Sequence, residues 1–159
     1  SKDGTVRLWQ LPNGRLLQTL PLDGALGQMN NQVDNQFFNQ PERVAQLLWQ
    51  DARWIGGTLG GTLVVGAAAP LAIQQASQAH RDGISAIALS PDRRWLATGS
   101  TDGTLKLWHW PTVTAQHQLS HGWSLSAIAF TPDGQHLISG SRDGTIEVWQ
   151  IQFSVTNLP

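Results

Sequence analysis

The sequence predicts an all-β chain built from repeating blocks of four short antiparallel strands, and three observations carry that reading. A nonamer recurs: Ser100-Thr101-Asp102-Gly103-Thr104-Leu105-Lys106-Leu107-Trp108 reappears 41 residues later as Ser141-Arg142-Asp143-Gly144-Thr145-Ile146-Glu147-Val148-Trp149, and a third copy, Ser1 to Trp9, opens the chain. Repetition at this period marks stacked supersecondary units, each unable to bury its apolar surface alone. The second observation is period-two alternation of apolar residues, bracketed by Pro-Asp and Asp-Gly turns. The third is composition: 16 Gly and 8 Trp among 159 residues, with only 13% charged and little of the Lys and Glu that dress exposed helices.

Each element follows from its residues. Ile84 to Leu89 has apolar residues on both faces, as a strand packed between two sheets requires. Ser90-Pro91-Asp92 turns the chain, because Pro presets φ and Asp bonds its own backbone. Trp95 to Gly99 is a second strand, Asp102-Gly103 a tight connection, Thr104 to Trp108 a third strand, and Val113 to Leu119 a more polar fourth. Leu125 to Phe130 and Thr131-Pro132-Asp133-Gly134 repeat the scheme. Residues 44–79 read as a decayed copy, with Trp54-Ile55 over Trp95-Leu96 and Gly60 to Val65 over Asp102 to Leu107 after a one-residue deletion. The blocks are therefore 1–20 (third and fourth strands of an incomplete unit), 21–43 (a Gln/Asn-rich polar loop insertion), 44–79 (degenerate), 80–120 and 121–159.

Composition also excludes functions. Ten basic against 11 acidic residues leave a formal charge of −1, so no nucleic-acid or anionic-membrane partner is expected. Without Cys there is no disulfide framework, thiolate metal site or cysteine nucleophile. The chain starts inside a motif, with neither Met nor a signal-peptide pattern ahead of it, and is expected to be a fragment of a longer, cytoplasmic bacterial protein.

A His, an apolar strand, an SPDG-like turn, an L-A-S-G-S-like strand, a D-G turn and a strand ending in Trp together resemble the WD-repeat family. The pattern covers His80 to Trp108 and His121 to Trp149 well, Ser1 to Leu20 as the tail of a unit, and Val44 to Ile73 weakly. It departs from the family at the closing Trp-Asp pair, which is Trp9-Gln10, Trp108-His109 and Trp149-Gln150 here, and at the Gly before each His, which is Ala79 or Ser120. The resemblance implies a partial β-propeller of about three and a half four-stranded blades, one degenerate, whose remaining blades lie upstream in the same chain. It also implies buried hydrogen-bonded tetrads: His80, Thr98, Asp102 and Trp108 in one blade, and His121, Ser139, Asp143 and Trp149 in the next, with Asp143 the partner of His121.

The same His, hydroxyl and Asp residues invite a catalytic-triad reading. A catalytic set occurs once, however, whereas this one recurs at the scaffold period and always with a Trp, so a structural role is expected and no catalytic residue is assigned. His117 and His121 stand four apart but bracket a strand end and a loop, so no metal is expected. Gly56 to Thr62 lacks the Lys-Ser/Thr ending of a phosphate loop, and no cofactor is expected. The uncharged stretch from Trp54 to Ala79 has the length of a membrane helix, but its five Gly, Pro70 and Gln residues favour a degenerate blade.

What remains is recognition of a protein or peptide. The resemblance places the Asp-Gly turns and His loops on one face, exposing Lys2, Thr101 and Arg142 from the turns and Arg81, Asp82 and Trp123 from the loops. Trp123 has no core to fill, and Trp and Arg dominate interface energetics. The expected function is a non-catalytic binding scaffold; the alternative is a regulatory or sensory arm of a larger signalling enzyme, a protein kinase or signalling ATPase encoded upstream.

Overall fold

The computed structural model describes residues 5–10, 15–22 and 44–151. Its elements are strands. The first sheet pairs β1 (Thr5–Gln10) with β2 (Arg15–Pro21); the second is a meander of β3 (Val44–Gln50), β4 (Arg53–Thr58), β5 (Thr62–Ala68) and β6 (Leu71–Gln78). The third sheet repeats that meander with β7 (Ile84–Leu89), β8 (Trp95–Ser100), β9 (Thr104–His109) and β10 (Thr114–Ser120), and the fourth has β11 (Leu125–Phe130), β12 (His136–Ser141) and β13 (Ile146–Gln150). All pairings are antiparallel. Pro21 pairs with Thr5 and Leu22 is fully buried, so the strand runs past residue 20, into the stretch assigned to the insertion. Most of that stretch (23–43) and residues 152–159 lie outside the described residues.

The core sits between the sheets, in three layers. Val6, Leu8, Leu20 and Leu22 of the first pack on Trp54, Val64 and Leu71 of the second. Ile55, Leu63 and Val65 on the opposite side of the second sheet pack on Ile84, Leu96 and Trp108 of the third. Ala97, Leu105 and Leu107 of the third pack on Leu125, Leu137 and Trp149 of the fourth. Adjacent strands send alternate side chains to opposite faces, so a sheet apolar on both sides is stable only when sandwiched. β10 lies at the edge of the third sheet and is largely exposed, while β7 packs beside β3 and β11.

The register revises the alignment of the degenerate block. Trp54 pairs with Gly66, as Leu96 pairs with Trp108, and Ile55 pairs with Val65, as Ala97 pairs with Leu107. Trp54 therefore takes the place of Leu96, not of Trp95, and Arg53 takes that of Trp95. The 58–61 turn has its full length; the shortening lies between β3 and β4, where Asp51 and Ala52 (φ 47° and 62°) replace the five-residue turn 90–94. The physical reason is space. The Trp54 ring lies over Gly66, where a Cβ would overlap it, and its Nε1–H donates to Ala67 O at 3.1 Å. An indole from the neighbouring strand fills the volume that the missing third-strand Trp vacates.

Sheet-to-sheet approach also requires Gly. A Cβ on Gly57 would lie 2.5 Å from Ile84 Cγ2, and one on Gly99 would lie 3.1 Å from Leu125 Cδ1. The corresponding Gly140 has nothing within 4 Å, because no described sheet covers the far face of the fourth; there Ile146 and Val148 are 71% and 63% exposed, whereas the matching Leu105 and Leu107 are buried. Gly57→Ala is therefore expected to destabilise the chain by about 1–3 kcal/mol. Gly140→Ala should change stability by no more than about 0.5 kcal/mol. Urea unfolding of both variants checks the contrast.

Candidate functional site

The turns between second and third strands are built alike, and those at Gly61 and Gly103 are tied to the following loop. Gly61, Gly103 and Gly144 have φ of 83°, 82° and 91°, the left-handed region that favours glycine, and each donates its N–H at 3.2 Å to the residue three before, Thr58, Ser100 or Ser141. The Gly103 carbonyl accepts from His121 N at 2.9 Å, as the Gly61 carbonyl does from His80 N at 3.1 Å, so each turn anchors the next sheet's His loop. Within a unit, Thr101 N donates to Gly83 O and Arg142 N to Ser124 O, both at 2.9 Å.

Beneath this face the third sheet holds a continuous hydrogen-bonded chain. Trp108 Nε1–H donates to Thr98 Oγ1 at 2.9 Å, and Thr98 Oγ1 lies 2.7 Å from His80 Nε2. His80 Nδ1 lies 2.7 Å from Thr104 Oγ1, whose hydroxyl donates to Asp102 Oδ1 at 2.6 Å. Because the Thr104 proton goes to the carboxylate, Nδ1 of His80 must carry a hydrogen and Nε2 must accept from Thr98; this one neutral tautomer satisfies every donor. Asp102 also accepts from Thr104 N at 2.8 Å and Arg81 N at 2.9 Å. Thr104 thus stands between His80 and Asp102, whose closest atoms are 3.8 Å apart. Thr98 is fully buried, its hydroxyl held between an indole and an imidazole.

These contacts set the titration behaviour. Desolvation lowers the His80 pKa from 6.5 to about 4, against a weaker upward pull from Asp102 and with a further push down from Lys106. Burial would raise the Asp102 carboxyl, but the bonds from Thr104 and Arg81 outweigh it and hold the group below the usual range.

The fourth sheet makes only part of the expected tetrad. Trp149 Nε1–H donates to Ser139 Oγ at 2.8 Å. The expected His121–Asp143 partnership is absent: neither ring nitrogen of buried His121 has a hydrogen-bond partner. Asp143 is taken up by its own turn, accepting from the Ser141 hydroxyl and from Thr145 N and Oγ1. The two sheets also differ at residue 147. Where the third sheet has Lys106, with its ammonium 6.0 Å from the Trp108 ring, the fourth has Glu147, whose Oε2 comes within 3.6 Å of His121 Nε2. In the second sheet Gly56, Gly60 and Gly66 stand where the third has Thr98, Asp102 and Trp108, so no tetrad forms there.

Of the rim candidates, Arg81, Asp82, Thr101, Trp123 and Arg142 are all exposed, and Lys2 lies outside the described residues. Trp123 is 64% exposed, and its backbone packs against Gly103 of the preceding turn. Two residues escape the sequence reading. Thr104 could have been found from the hydroxyl two places after Asp in each nonamer (Thr5, Thr104, Thr145). Leu59, 57% exposed at the place of Thr101 and with its backbone against Gly83, has no signal in the degenerate copy. Of the two spaced histidines, His117 lies exposed on β10 and His121 is buried in the next loop. The uncharged stretch folds as β4, β5 and β6, and no helix among the described residues is long and apolar enough to cross a membrane.

Residues 73–109 and 114–150 match the WD40 family, described as WD domain, G-beta repeat. Each matched unit gives its first strand to one sheet and its other three to the next, which joins neighbouring sheets covalently. Among solved structures the chain is similar to the computationally designed Ika4 protein, with a TM-score of 0.74 and 24% identity over 96% of this chain and 82% of that one. That likeness speaks for the fold. The protein carries two WD repeats within residues 73–150, and its sheets have the fold of β-propeller blades. Propellers of this family are typically non-catalytic and commonly bind protein partners.

Two measurements test the hydrogen-bonded chain. Thr98→Val keeps the shape but strips partners from both Trp108 Nε1–H and His80 Nε2, and should cost about 2–4 kcal/mol in urea unfolding. Since the folded pKa of His80 lies below its unfolded value, the unfolded state binds the extra proton between pH 6.5 and about 4. Its contribution to stability is fully present above pH 6.5 and is lost as pH falls through that window. Unfolding curves at pH 7.5, 6, 5 and 4.5 should show this slope, and His80→Gln should reduce it by one proton's worth.

Proposed function

We propose that the chain is a non-catalytic platform on which the turn-and-loop face of the blades binds a protein or peptide. Trp123 carries the reading: a large aromatic side chain stands exposed on a loop whose backbone is fixed against Gly103 and, through Ser124 O, to Arg142 N. Ordering costs are already met in such a loop, so contact area converts efficiently into affinity. Leu59, Arg81, Asp82, Thr101 and Arg142 on neighbouring turns and loops complete a mixed apolar and charged rim. The polar groups that would be needed for acyl-transfer chemistry are instead bonded to one another in the third blade, with Thr98 buried.

The test is Trp123→Ala combined with Arg142→Ala. Both positions are exposed, so unfolding stability should stay within about 0.5 kcal/mol of the parent. Proteins retained by the immobilised parent chain should be lost by the variant; an unchanged set of retained proteins refutes the assignment.

A further inference from the structure

Two histidines 41 residues apart in the sequence stand at the same place in successive blades with opposite surroundings. His80 is bonded through both ring nitrogens and has the Lys106 ammonium acting on it. His121 is buried as deeply, yet among the described residues neither of its nitrogens is bonded, and Glu147 stands in the place of Lys106. The Glu147 Oε2 atom is itself buried and unpaired. It lies 3.6 Å from His121 Nε2, too far for a hydrogen bond to a neutral ring and within reach of an ion pair. Ser124, in the same loop, has a buried and unpaired hydroxyl as well. The other charged groups on the elements packed round this loop have partners or face solvent. Asp143 is held below the usual carboxylate range by the Ser141 hydroxyl and Thr145 N, with a smaller pull from His121. Asp102, in the preceding turn, accepts from Thr104 and Arg81 N, Lys106 has its ammonium 6.0 Å from the Trp108 ring, and Arg142 is exposed.

We infer that His121 and Glu147 form a proton-operated latch on the loop that carries Trp123. Imidazole is the side chain that changes charge between about pH 5 and 8. With the ring neutral, its nitrogens and the Glu147 oxygen stay buried and unpaired, a costly state, and the loop is held by backbone bonds from His121 N to Gly103 O and from Arg142 N to Ser124 O. When the ring takes a proton from solvent, both nitrogens carry hydrogen and Nε2–H faces a carboxylate. Closing the 3.6 Å gap to a charge-assisted bond then ties the loop to β13, so the exposed Trp123 is held more firmly in acid than at neutral pH. The third blade responds in the opposite sense, since a proton on His80 Nε2 displaces the bond that this nitrogen accepts from Thr98. The latch concerns the loop itself and holds whether or not the rim binds a partner.

Amide hydrogen exchange of the ¹⁵N-labelled chain at pH 7.5 and 5.5 tests the latch, read as protection factors so that the intrinsic pH dependence of exchange cancels. The His121 and Arg142 amides should gain protection by about threefold or more at pH 5.5. The Thr101 amide, which makes the matching bond to Gly83 O in the third blade, should show no gain. Glu147→Gln keeps the shape, removes the charge and should abolish the gain at both amides; His121→Gln should abolish it at Arg142. No gain in the parent chain, an equal gain at Thr101, or a gain that survives either substitution overturns the proposal.

Discussion

Every feature of this chain depends on one constraint: a short four-stranded sheet with apolar residues on both faces cannot stand alone. The three packed layers satisfy it by repeating the same geometry, with Leu or Val from β1, β5 and β9 turned toward the following sheet. Glycine at 57 and 99 lets the sheets approach closely enough to exclude water. Dispersion and apolar burial then hold the stack, but neither fixes the angle of a loop or the register of a turn. Directional bonds must do that, and here they run from the indole of the third strand to the carboxylate of the turn.

The Trp108, Thr98, His80, Thr104 and Asp102 chain therefore belongs to the architecture. It joins two strands, the Asp-Gly turn and the His loop through groups with few alternatives, since an unpaired polar atom at that depth costs more than the bond yields. Neighbouring units show how far the arrangement bends. In the fourth blade, which has Glu147 in place of Lys106, neither ring nitrogen of His121 is bonded and the chain is broken, although the turn keeps its form through Asp143, Ser141 and Thr145. In the second blade the polar set is gone and Trp54 fills the space with apolar volume. The fold tolerates both because the layers between the sheets persist.

Much of this was legible in the residues. Strand periodicity, the Pro-Asp and Asp-Gly turns and the 41-residue repeat mark the strands of the third and fourth sheets to within a residue or two, since all three are local or exactly periodic signals. The degenerate block was harder. Matching Trp54 to Trp95 follows the letters, but pairing is decided by volume: Gly66 leaves room for an indole from across the ladder, so Trp54 sits where Leu96 does. Thr104 was overlooked because a hydroxyl after a turn has an obvious local role, and its second bond, to His80, depends on a loop 24 residues away. The partnership assigned to His121 and Asp143 does not form because Asp143 bonds Ser141 and Thr145 within its own turn, a competition among neighbouring hydroxyls that the repeated letters do not rank.

The most direct test of the account is the protonation state of His80, read from its ring nitrogen shifts by ¹⁵N NMR across pH 7.5 to 4.5. The account predicts a neutral ring with hydrogen on Nδ1 throughout most of this range, titrating only near the acid end, together with a Trp108 indole hydrogen that exchanges slowly with solvent. A ring that titrates near pH 6.5, or one that carries its hydrogen on Nε2, would contradict it.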